Sequence, residues 1–318
     1  MIGAAAALDS WRAGILRRTL RFGPARRIFL DRSIRTPLWF TLSLILNVFL
    51  VWRFPALSFY AVPLILGVPH LLASFRYGWR ESGAWGIYVG ITLAFAWAVR
   101  SGASQSWAFM TVVLTLFSMN GRGMRVRAVP AGILLVALAF GFYRDPYLSA
   151  LALSILHNFV AFLFWFRSAR NTHERWGVAY ALLLTFLAVS AVPFLPVIES
   201  LGEISWNLAG LEADFFGVAF VRIFLLTQSL HYFIWLKAIP DQHAPTEIPV
   251  SFRSGFREDR QWFGRSIHVG VLVLVAGLLI WAYGADRELA RRAYVQLAAY
   301  HGFAELAFLA GVMRRGGA

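Results

Sequence analysis

Long uninterrupted apolar stretches dominate this chain, and they leave few choices of fold. A window of about 19 residues, the length of helix needed to cross a bilayer, finds about ten of them. They cover 37–54, 56–75, 84–100, 105–120, 128–143, 146–166, 175–195, 214–236, 266–283 and 290–312. Breakers sit between many: Pro55, Gly83, Gly102, Gly121 with Gly123, Pro146 and Pro240. Such runs fit neither a soluble domain nor a disordered chain. The 59% hydrophobic and 14% charged composition excludes the same classes. The pattern predicts an all-α, polytopic integral membrane protein of about ten transmembrane helices.

The basic residues give the orientation. Lys and Arg near span ends are retained on the cytoplasmic side. With the N-terminus inside, the inner segments collect Arg12, Arg17, Arg18, Arg21, Arg26, Arg27, Arg32 and Arg35, then Arg76 and Arg80, then Arg122, Arg125 and Arg127. Arg167, Arg170 and Arg175, then Lys237, Arg253, Arg257, Arg260 and Arg265, and finally Arg314 and Arg315 follow on that face. The outer face keeps Arg53, Arg100, Arg144, Arg287, Arg291 and Arg292. An N-in, C-in topology follows, in a bacterial inner membrane. The net charge of +14 is therefore topological, and nothing in its distribution resembles a nucleic-acid surface.

Two parts are distinguished. Residues 1–35 form a basic cytoplasmic segment, and 36–318 form the ten-helix transmembrane domain. Within 8–35, Trp11, Ile15, Leu16, Leu20, Ile28 and Phe29 alternate with arginines, the pattern of one or two interfacial helices on anionic lipid. The apolar run comes too late for a signal peptide. Outside, 196–213 carries Glu199, Glu203 and Glu212 among Ile198, Leu201, Ile204, Trp206, Leu208 and Leu211, which suggests a helix lying in the outer interface. Pro240, Pro245 and Pro249 predict an extended path for the inner loop 238–264.

Ionisable groups inside spans are expensive and mark function. Four histidines qualify: His70, His157, His231 and His301, in the second, sixth, eighth and tenth spans. These spans all run from outside to inside. At about 1.5 Å per residue the histidines fall in the cytoplasmic half, within roughly 10 Å in depth. One common site is allowed, and so are two pairs, His70 with His231 and His157 with His301. Glu305, four residues after His301 on the same helix face, is the one acidic residue expected in the interior of a span. A buried carboxylate requires a proton or a cationic neighbour. Gln228, Ser154, Asn158, Tyr232 and Tyr300 are placed to orient the imidazoles. His268 lies near the inner end of the ninth span, and His173 and His243 read as solvated loop residues. Arg222, inside the eighth span, is expected to pair with Glu212, Asp214 or a backbone carbonyl; Asn47 and Asn120 read as bonds between helices.

No cysteine is present, so thiolate sites and disulfides are excluded. Walker, Rossmann, nucleophile-elbow and HExxH patterns are missing as well. Several imidazoles without thiolates suit iron, copper or zinc, and fit redox iron best; a non-haem iron site in lipid would let lipid-soluble oxygen meet an apolar substrate. Glu305 would orient a ligand or relay a proton. Bis-histidine haem b passing electrons is a second reading. A proton- or metal-coupled carrier with a helix broken at Gly67-Val68-Pro69 is a third, and an assembly subunit without ligands a fourth.

The run Leu66-Gly67-Val68-Pro69-His70 resembles the Gly-x-Pro-His opening of the membrane carotene-cleaving dioxygenases of the Brp and Blh type. The likeness is local: that family continues Gly-Ala-x-Asp, where this chain has Leu71-Leu72-Ala73-Ser74. It implies His70 as an iron ligand and oxidative cleavage of a carotenoid or related polyene.

Overall fold

Helices with few chain breaks account for every secondary-structure element described in the computed structural model. The structure describes residues 2–19, 28–55, 57–82, 155–196 and 215–244, together with positions 257, 270, 277, 301, 302, 305 and 308. The expected spans at 84–100, 105–120 and 128–143, the outer interfacial segment, and nearly all of the last two spans lie outside the described residues, as do Asn120, Ser154, His268 and Tyr300. Three described helices are long and apolar enough to cross a membrane: Arg32–Arg53, Thr172–Phe194 and Gly217–His243.

The chain divides into two compact units. One comprises Met1–Ala73 with Ala161–Gly277, the other Ser74–Val160 with Leu278–Ala318. The first contains α1 (Ile2–Thr19) and α2 (Arg32–Arg53). A π-turn at Leu57–Ala61 then leads into α3 (Val62–Ser82). After α4 (Val160–Ser168) come α5 (Thr172–Ala191), α6 (Phe215–Phe233), a π-turn at Ile234–Ala238, and α7 (Ile239–His243). Of the second unit, the described residues are the end of α3, residues 155–160, and His301, Gly302, Glu305 and Phe308.

Local chemistry explains where these helices begin. Asp31 caps α2 by accepting from the Ser33 amide at 2.9 Å. Asn171 caps α5 by accepting from the Glu174 amide at 2.9 Å, while the Glu174 carboxylate accepts from the Arg170 amide at 2.6 Å. This variant of the capping box satisfies two otherwise orphaned donors. Prolines explain the π-turns. Pro63 and Pro240 each follow such a turn by two residues, and neither offers an N–H to the carbonyl four residues earlier. Widening to the five-residue repeat, with Ile239 N–H donating to the Ile234 carbonyl, carries the eighth span past Pro240 to His243. The extended path expected to begin at 238 is therefore corrected: the helix runs on through 243. His243, expected in a solvated loop, ends that helix with Nε2 3.3 Å from the Ser168 hydroxyl. His173 is exposed.

Within the first unit α6 is central. Of its spanning stretch 78% is buried, against 28% for α2 and for α5. Phe40 of α2 meets Phe162, Trp165 and Phe233 at ring separations of 5.7–5.8 Å, while Trp235 packs on Phe164 at 5.1 Å. Leu38, Trp39, Leu42, Ile45, Leu46 and Phe49 of α2 stay exposed, the surface a lipid-facing helix needs. Where α5 crosses α2, a Cβ on Gly177 would stand 2.7 Å from Cγ of Pro37, so glycine permits the approach.

Both ends of the bundle are held by arginine. At one end Arg35 meets Asp241 through Nη2 at 2.8 Å and Nε at 3.1 Å, and the Thr36 hydroxyl donates to the same carboxylate oxygen. Arg32 and Arg170 both donate to the Ala244 carbonyl, at 2.7 and 2.9 Å. Arg35 and Asp241 are buried, so a carboxylate other than Glu305 lies within a candidate span. At the other end Arg222 donates to the carbonyls of Val192, Pro193, Leu195 and Pro196. Of the partners expected for Arg222, the backbone carbonyls are found, and they lie at the C-terminal end of α5, where a cation complements the dipole; Glu212 and Asp214 lie outside the described residues. Asn47 bonds within its own helix, to the Ser43 carbonyl and hydroxyl. The two arginine ends show that α2 and α5 start together and α6 returns to that end.

Gly177→Ala is expected to lower stability by about 1–3 kcal/mol, since the Pro37 ring is rigid; thermal unfolding in detergent measures it. Asp241→Ala should cost about 3–5 kcal/mol by stranding a buried guanidinium. The paired change Arg35→Met with Asp241→Leu should cost less than Asp241→Ala alone, and a double-mutant cycle of unfolding free energies tests that order.

Candidate metal centre

All four histidines singled out in the sequence, and Glu305, are buried. In the first unit α3 carries His70 and α6 carries His231, and their Nε2 atoms stand 3.0 Å apart with the ring planes close to perpendicular, at 84°. In the second unit, Nε2 of His301 lies 2.8 Å from Oε1 of Glu305, one helical turn on. The His157 ring stands 6.2 Å from that of His301, centroid to centroid. Gly302 lies against it: a Cβ there would be in ordinary contact with the ring, 3.4 Å from Cγ of His157. Within each unit, therefore, two histidines lie side by side: His70 with His231 in the first, His157 with His301 in the second.

The distances have chemical meaning. Imidazole nitrogens bound at about 2.0–2.1 Å and at roughly right angles around one ion stand about 3 Å apart. The His70–His231 separation matches adjacent ligands. A neutral pair without metal instead requires one ring to be the Nε2–H tautomer and the other its acceptor. Bis-histidine haem ligation places axial nitrogens on opposite sides of the iron, about 4 Å apart. The 3.0 Å gap is too short for that. His301 and Glu305 show the same close spacing, and Glu305 meets the ring at Nε2. Buried as they are, His70, His231, His301 and Glu305 are all residues whose atoms can hold a metal ion.

Residues around the first pair differ in part from expectation. Gln228, expected to orient His231, donates through Nε2 to the Tyr232 hydroxyl at 2.7 Å. The Tyr232 ring lies against His70, at 4.8 Å between centroids, and Trp235 stands 6.4 Å from His231. These contacts come from the 3.6-residue repeat, which turns His231, Tyr232 and Trp235 toward neighbouring elements within barely more than one turn. Helix α3 runs unbroken through Gly67-Val68-Pro69, so the interruption expected of a carrier is not found there.

The chain was compared with protein-family models, curated proteins and solved structures, and none matches. Its chemistry rests on the residues themselves.

In metal-free protein, His301→Ala should destabilise more than Glu305→Ala. The former takes the close ionic neighbour from a buried acid, at a cost of roughly 3–5 kcal/mol, and the latter removes the acid itself. Unfolding of both variants in chelator compares them directly.

Proposed function

We propose that this protein is a membrane-embedded, His-ligated non-haem iron oxidoreductase acting on a lipid-soluble substrate, a carotenoid or another polyene, in a bacterial inner membrane. The observation that carries this reading is the His70–His231 pair, two buried imidazoles presenting the same nitrogen at the 3.0 Å spacing of adjacent ligands. His301 and Glu305, with His157 beside them, are the second donor group, and Glu305 supplies anionic charge for a cation buried away from water. Imidazole and carboxylate donors without thiolate suit redox iron. When bound, the iron supplies one-electron and oxygen chemistry.

The chain's own residues do the rest. Exposed apolar faces such as that of α2 keep the molecule in lipid, where both oxygen and a polyene concentrate. Trp235, Phe164, Phe162 and Trp165 pack an apolar surround in the unit that carries His70 and His231 and exclude water there. The local likeness of Leu66 to His70 to the carotene-cleaving dioxygenases points to the same substrate class.

Elemental analysis and an absorption spectrum of the purified full chain test the proposal. Iron near stoichiometric with protein and no Soret band are expected. His70→Ala, His231→Ala, His157→Ala and His301→Ala should each lower iron by at least about tenfold while the protein still elutes as folded material. A Soret band, or full iron content in all four variants, overturns it.

A further inference from the structure

Tyr232 is not a metal donor in the reading above, yet it is built into the first pair more tightly than lining requires. It is buried and follows His231 directly in α6, so adjacent residues of one helix both reach His70. His231 meets that imidazole at its Nε2, and Tyr232 lays a ring on it with 44° between the planes. The phenol is held at its oxygen as well. Gln228, one turn earlier, donates to Oη at 2.7 Å. Gly67, one turn before His70 on α3, lies beneath the same oxygen: a Cβ at 67 would stand 3.3 Å from Oη and 3.8 Å from Cζ. That is tighter than ordinary contact, so the glycine and the phenol are fitted to each other.

We propose that Tyr232, anchored by Gln228 and seated on Gly67, is the positioning residue that fixes the His70 imidazole with Nε2 facing Nε2 of His231. The inference rests on the metal reading and adds to it. An imidazole ligand turns about its Cβ–Cγ bond, and a ring free to turn loses aim at the ion. Sites of this kind need donors held to within roughly 10–20°. A metal-bound histidine usually gains that control from a hydrogen bond to its second nitrogen. The aromatic face of Tyr232 adds a further limit on the rotation, and Gln228 holds that face by its phenol. Gly67 is then explained as the position that admits the phenol, independently of any need for a broken helix.

Cobalt(II), whose visible absorption reports ligand geometry, is the probe, titrated into chelator-stripped full-length protein in detergent. Tyr232→Leu should weaken cobalt binding by about 10–100-fold and shift the visible bands. Tyr232→Phe, which keeps the ring, should restore most of the affinity. Wild-type affinity and wild-type bands in Tyr232→Leu overturn the proposal. Where that variant does not fold, Gly67→Ala decides: it leaves every donor atom and the phenol present, and displaced bands are expected. Unchanged bands and affinity in Gly67→Ala overturn the positioning role alone. A wild-type protein that takes up no cobalt overturns the metal reading itself.

Discussion

A polar group carried into an apolar interior must find its partner within the protein, because no water is there to supply one. Helix α6 and its continuation meet this constraint repeatedly. Arg222, Thr227, Gln228, Ser229, His231, Tyr232, Asp241 and Gln242 are all buried along one largely buried rod. Some are answered by the helix itself, as when the Thr227 and Ser229 hydroxyls donate to carbonyls a turn back. Gln228 and Tyr232 meet each other on the same helix, whereas Arg222 and Asp241 find partners on a second element, and those requirements help determine what packs against α6.

The arginines illustrate the consequence. A guanidinium has five donors and cannot shed its charge. Arg222 spends its donors on the loose end of α5, turning a run of carbonyls that must be satisfied into the partner of a cation that must be satisfied. Arg35 and Asp241 solve the matching problem at the other end. A buried pair of this kind adds less to stability than its Coulomb energy suggests, but it penalises any arrangement that separates the partners. Together the two ends set the register of α2 and α5 against α6, and with it the position of His231 along the rod.

Register matters because imidazole chemistry depends on tenths of an ångström. His70 and His231 belong to helices far apart in sequence, and their nitrogens meet only if both helices are correctly placed along and around their axes. The π-turn at Ile234–Ala238 lies directly after His231 and Tyr232. It lets the helix absorb Pro240 without ending, so that Asp241 still reaches Arg35. In this way the anchoring ion pair and His231 are carried by one continuous element.

The helical content, the presence of helices apolar and long enough to cross a membrane, and His70, His157, His231, His301 and Glu305 as polar groups within apolar stretches were legible in the residues, since each follows from local hydropathy and helical period. Asp241 as a buried carboxylate and the carbonyl cage around Arg222 were not. The cause is the same in each case. Hydropathy and helical period are properties of a few consecutive residues, whereas these contacts depend on which helices become neighbours and how each is turned about its axis. Depth counting allowed one group of histidines or two pairs. That the His70 ring comes beside His231, and His157 beside His301, was decided by tertiary packing, because a side chain's direction is set by the rotation of its helix against its neighbours, which no single segment encodes.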